Sequence, residues 1–99
     1  MDDTILKRIY KRKDDIILRS IAGEMILVPI RGSLADMQKI FSLNSVGEYI
    51  WNACDGSKSV QQISEDVRSL FDVTEEEAIA DLDAFINELL REGLVGEAS

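Results

Sequence analysis

Histidine is missing from this chain of 99 residues, and cysteine and proline occur once each. Without histidine there is no Ser-His-Asp or Cys-His nucleophile activation, no imidazole acid-base chemistry and no histidine metal site. A lone Cys54 cannot close an intramolecular disulfide, hold a structural zinc or carry an iron–sulfur cluster, and it reads as a small buried apolar residue on a helix face. No apolar run approaches the roughly 20 residues that span a bilayer, and no signal segment opens the chain. The 19 acidic residues sit in a chain too short to build a deep cleft around a carboxylate pair. These absences predict a single cytoplasmic domain that binds rather than catalyses, with no metal and no cofactor of its own.

Positive charge is scarce in one half only. Up to Leu43 there are eight Lys and Arg against six Asp and Glu, and from Asn44 onward three against thirteen. The basic excess is at the front, in Lys7, Arg8, Lys11, Arg12 and Lys13. Residues 1–15 therefore read as a charged lead-in with a helical turn around Ile5, Leu6, Ile9 and Tyr10, a solvated terminus in the first instance and a docking arm for an acidic partner in the second.

Strand-like runs follow. Ile16 to Ile21 is rich in β-branched residues, Ala22-Gly23 has the length and glycine of a tight hairpin, and Glu24 to Ile30 is the second run. Pro29 has no N–H to give to a ladder, so the second strand ends, bulges or faces outward there. Residues 31–37 are a polar connection, and Gln38 to Leu43 a third short strand.

Beyond Leu43 the apolar period changes from two to 3.6. Val46, Ile50 and Cys54 mark the first helix, Val60, Ile63, Val67, Leu70 and Phe71 the second, and Ala78, Ile79, Leu82, Phe85, Ile86, Leu89 and Leu90 the third. Each is preceded by a capping-box pair, Ser45 with Glu48, Ser59 with Gln62 and Thr74 with Glu77. Asp55-Gly56 and Gly93 stop the first and third helices. Three antiparallel strands followed by three helices, the last two joined by a short turn, predict an α+β, winged-helix-like domain over residues 16–95 with a tail at 96–99. The helix-turn-helix would suit a DNA-binding regulator, but its second helix opens on Glu75-Glu76-Glu77 and continues through Asp81 and Asp83. That surface repels phosphate, so nucleic acid is not the expected partner.

The ordered set Leu43-Asn44-x-x-Gly47-x-x-Ile50-Trp51, Asp55-Gly56, Ile63, Phe71-Asp72-Val73, Asp81 with Phe85 to Leu90, and Gly93-Leu94-Val95 resembles the PqqD family, the peptide chaperones of pyrroloquinoline quinone synthesis, also called the RiPP recognition element. The resemblance implies a non-catalytic domain that captures the leader segment of a ribosomally made precursor peptide and presents it to a modifying enzyme, a radical S-adenosylmethionine protein in the founding pathway. By this analogy a peptide adds as a strand to the third strand, at Lys39, Ile40, Phe41 and Ser42, and lies against the third helix at Asp81, Leu82, Phe85 and Leu89. Periodicity gives Phe41, Leu82, Phe85 and Leu89 a competing assignment to the core, and core is the favoured place for Trp51. Tyr49 has no assignment. An open strand edge also predicts a homodimer through paired edges.

Overall fold

A computed structural model describes residues 3–14, 16–29 and 41–98 of the chain. The Ala22-Gly23 turn joins β2 (Ile16–Ile21) to β3 (Glu24–Pro29), which pair antiparallel from Ile21↔Glu24 to Ile16↔Pro29. Both turn residues have positive φ, 52° and 84°, the arrangement whose twist matches that of the flanking strands. The third strand, β4 (Phe41–Leu43), adds to β3 through Met25↔Leu43 and Leu27↔Phe41. The expected residues Gln38 to Ile40 of that strand, and the 31–37 connection, lie outside the described residues. Alternation places Ile16, Leu27, Phe41 and Leu43 inward, all buried, while Arg19 and Ser42 face water. Pro29, the last described residue of β3, pairs with Ile16 and brings no N–H to the ladder.

Three helices follow, α2 (Ser45–Ala53), α3 (Val60–Leu70) and α4 (Glu75–Arg91). The expected capping boxes are present at Ser59 with Gln62 and Thr74 with Glu77. The first helix differs, because Asn44 is its cap: the Asn44 side chain accepts from the Gly47 N–H at 2.8 Å. Asparagine caps as well as serine does, and it stands one residue earlier, which places Ser45 inside the first turn. At the far end of α4, Gly93 (φ 72°) lets the Leu94 N–H reach the Leu89 carbonyl at 2.9 Å and the Gly93 N–H reach Leu90 at 3.1 Å. This is a Schellman closure, with fully buried Leu89 and Leu94 as its apolar pair.

The front of the chain is where the structure departs most from the sequence reading. Residues 1–15, expected to lead into the domain, contribute α1 (Asp3–Leu6) and the strand β1 (Ile9–Arg12). Ile9 and Tyr10, expected in a helical turn, are strand residues. β1 is the middle of a second sheet, antiparallel both to β5 (Asp55–Ser59) and to β6 (Val95–Glu97), neither of which the sequence announces. Its charged residues have structural work. The Lys11 stem lies over Gly56, and Arg12 Nη1 donates to the Trp51 carbonyl at 3.0 Å and the Asn52 carbonyl at 2.6 Å, supplying a cation to the exposed carbonyl end of α2. Tyr10 is buried beneath the sheet.

The core lies where α2, α3 and α4 meet the inner faces of the two sheets. Ile50, Trp51, Ile63, Val67, Leu82, Leu89 and Leu94 are all at most 2% exposed, so Trp51 is a core residue. Among the described residues no helix is long and apolar enough to cross a membrane.

Candidate functional site

The inward turn of β4 at Leu43 delivers the chain straight into the Asn44 cap, so the start of α2 is pinned beside the end of the β2–β3 hairpin. Helix α4 runs past the same point. Between them lies a groove of about 710 Å³. Its hairpin side is Gly23, Glu24 and Met25, its strand side Phe41 to Leu43, its floor Asn44 and Gly47, and its far wall Phe85 with Glu88 on α4. Glu48, in the first turn of α2, also lines it. A smaller hollow of about 270 Å³ adjoins it, sharing Asn44, Gly47 and Phe85 and adding Val46, Ile50 and Asp81.

Gly47 lies under both hollows and is buried. A Cβ there would stand 3.3 Å from Asn44 Oδ1 and 3.6 Å from the Leu43 side chain. The glycine keeps the floor low and lets the cap close. Among the described residues β4 is at the margin of its sheet, in the order β2-β3-β4.

Of the residues the sequence nominated, Phe41, Ser42, Asp81 and Phe85 line these two hollows. Lys39 and Ile40 lie outside the described residues. Leu82 and Leu89 are 0% exposed and belong to the core, the competing assignment that periodicity gives them. Sequence reasoning passed over Glu24, Met25, Gly47, Glu48 and Glu88. Two signals were available, the Asn44-x-x-Gly47 spacing of a cap with its smallest acceptable donor, and the Asp81, Phe85, Glu88 spacing of one helix face.

Carboxylates are the charged groups among the described lining residues: Glu24, Glu48 and Glu88 on the larger hollow and Asp81 on the smaller. Among the described residues no group of three or more His, Cys, Asp or Glu could hold a metal ion. The one thiol, Cys54, is 0% exposed, and burial pushes it up to about 11 despite Arg12 nearby, so it is no nucleophile at neutral pH.

Away from the groove, Tyr49 ties the helices together. Its hydroxyl donates to Asp66 Oδ2 at 2.8 Å, Lys58 Nζ meets the same oxygen at 2.7 Å, and the Phe71 ring packs edge-on with centroids 6.4 Å apart. Burial and then the Asp66 hydrogen bond raise the Tyr49 hydroxyl, while Lys58 and Tyr49 together hold Asp66 below the usual carboxylate range.

The profile of the family described as coenzyme PQQ synthesis protein D (PqqD) matches residues 24–95. Two solved structures share the architecture. A structure of TbiB1 in complex with the TbiA(beta) leader peptide superposes with a TM-score of 0.67 at 22% identity, covering 86% of this chain and 93% of that one. A lasso peptide synthetase B1 complexed with the leader peptide gives a TM-score of 0.69 at 17% identity, covering 88% and 96%. No curated protein matches the chain at a significant level.

Proposed function

We propose, from the premise that this chain belongs to the PqqD family, that it is a non-catalytic chaperone of ribosomally made precursor peptides. It captures the leader segment and presents the remainder to a modifying enzyme. The observation that carries this reading is the groove between β4 and α4, with a strand at the sheet margin on one side and the Phe85 ring on the other. An extended chain laid along β4 gains main-chain hydrogen bonds whatever its sequence, and side-chain pockets next to the strand supply choice. Leader peptides in the two structural neighbours make a peptide the natural occupant. In this reading the strand contacts come from Lys39, Ile40, Phe41 and Ser42, the helix contacts from Asp81 and Phe85, and Leu82 and Leu89 hold the wall in place.

The enzyme served is a radical S-adenosylmethionine protein, in pyrroloquinoline quinone synthesis or another peptide-modification pathway, and the encounter takes place in the cytoplasm. A DNA role is disfavoured by the first turn of α4, where Glu75, Glu76 and Glu77 are all exposed. Titrating the amide spectrum with the leader of a precursor peptide encoded beside this gene tests the proposal. Shifts at Phe41 to Leu43 and along Asp81 to Glu88 are expected. An unchanged spectrum in both segments refutes capture at this groove.

A further inference from the structure

We infer that the main chain of Ser42 anchors the captured leader antiparallel to β4, and that the groove selects leaders with apolar side chains on either side of the residue Ser42 holds; the inference rests on the peptide-capture reading above. The hairpin sets the phase. A two-residue loop with positive φ at Ala22 and Gly23 closes on a hydrogen-bonded pair, Ile21 with Glu24. Hydrogen-bonded and non-hydrogen-bonded pairs then alternate along the ladder. Glu24, Ile26 and Val28 therefore direct their main-chain groups to β2, and Met25 and Leu27 turn theirs to β4. Pro29 fits this phase, since it stands opposite Ile16 at a non-hydrogen-bonded site of the β2 ladder.

Met25 pairs with Leu43 and Leu27 with Phe41, so the main-chain groups of Leu43 and Phe41 are directed to β3. Those of Ser42 point the other way, beyond β4, where the described residues place no further strand. The next residue in the same phase is Asn44, whose carbonyl already accepts the Glu48 N–H at 2.9 Å. Ser42 is thus the last position before α2 that can give both an N–H and a C=O to an added strand. Antiparallel addition satisfies both groups with one ligand residue, whereas parallel addition divides them between two.

Residues opposed across a ladder share a face. Ser42 is exposed, while Phe41 and Leu43 are buried on the opposite face. The ligand residue held by Ser42 therefore turns outward, and its two neighbours turn inward, into the hollow lined by Met25, Phe41, Leu43 and Phe85. The class of leader selected has two apolar residues with one residue between them. That middle residue can be of any kind but proline, which has no N–H to give.

Two scans of one leader, that of the precursor peptide encoded beside this gene, test this on the full chain by fluorescence anisotropy. N-methylation of single amides and alanine substitution are expected to weaken binding at alternate positions, out of step with each other. N-methylation should cost about tenfold or more at the residue facing Ser42 and little at its two neighbours, where alanine should cost about as much. In the protein, Ser42→Pro removes an outward N–H and leaves the bonds of Phe41 and Leu43 to β3, so it should weaken binding by a similar factor. Scans that peak at the same residues overturn the antiparallel register. N-methylation tolerated throughout, with alanine still weakening binding, overturns the Ser42 anchor and leaves peptide capture standing; so does a folded Ser42→Pro variant that binds as the parent does. The scans use the parent chain, so they decide even where Ser42→Pro does not fold. An unmodified leader that does not bind overturns the capture reading itself and this inference with it.

Discussion

Asn44 Oδ1 accepts the Gly47 N–H at 2.8 Å, and a methyl group on Gly47 would stand 3.3 Å from the same oxygen. One short contact thus fixes both the start of α2 and the depth of the groove. Asn44→Ala should cost about 1 kcal/mol of stability, and Ser45→Ala less than about 0.5 kcal/mol, since only the first carries a cap. Chemical denaturation of both variants checks the assignment, and equal costs would contradict it.

Phe85 and Leu82 are separated by three positions on α4 and by exposure. Leu82 is 0% exposed and Phe85 half-buried on the groove. Leu82→Ala should destabilise the fold by about 2–5 kcal/mol through the cavity it leaves. Phe85→Ala should cost less stability and weaken leader binding by about tenfold or more. Calorimetry of folding and of binding on the same two variants separates lining from backing.

Arg12 ties the front of the chain to the carbonyl end of α2 through Trp51 and Asn52. Arg12→Ala should lower stability by about 1–2 kcal/mol, as expected for charge-assisted hydrogen bonds that are partly solvated. Deleting residues 1–13 should be more damaging, because β5 and β6 both pair with β1. A truncated chain as stable as the full one would show that this sheet is dispensable.

Ala22 holds a φ of 52°, a left-handed conformation that costs an L-residue with a Cβ about 1–2 kcal/mol. Asparagine tolerates it better and is the preferred first residue of such a turn. Ala22→Asn should therefore raise stability by about 0.5–1 kcal/mol, seen as a higher melting temperature. Gly23→Ala, at φ 84°, should lower it.

Alkaline pH should weaken the fold. The folded Cys54 thiol sits at about 11 against an ordinary 9.0, so the folded state holds this proton more tightly than the unfolded chain. Its contribution is complete below pH 9 and is lost as pH climbs through about 11, amounting to on the order of 2 kcal/mol. The raised Tyr49 hydroxyl acts in the same direction above pH 10. Denaturant midpoints compared at about pH 8 and about pH 11 should fall less in Cys54→Ala than in the parent chain. Thiol reagents should leave Cys54 unmodified in the folded protein at neutral pH.

Much of the architecture was legible because it rests on local rules. Apolar spacing marked α2, α3 and α4, the Ser59–Gln62 and Thr74–Glu77 pairs marked two helix starts, and Ala22-Gly23 marked the hairpin. Asn44 was missed as a cap since a serine with a glutamate three residues on stood next to it. β1 was missed for a different reason: Ile9-Tyr10-Lys11-Arg12 has no apolar alternation beyond its first two residues, and its strand exists only because β5 and β6 flank it. Both of these partners are themselves short and polar or glycine-containing, so none of the three runs carries a strand signal alone.

The sequence by itself determined the helices, the hairpin, the lack of histidine and the acidic character of the second half, because each depends on neighbours within a few residues or on composition. Tertiary structure decided which side chains meet. It drew Glu24, Glu48 and Glu88 to one hollow and Asp81 to the hollow beside it, sent Leu82 and Leu89 into the core, and made the basic front a central strand. Those outcomes depend on contacts between residues far apart in the chain, and no local period encodes them.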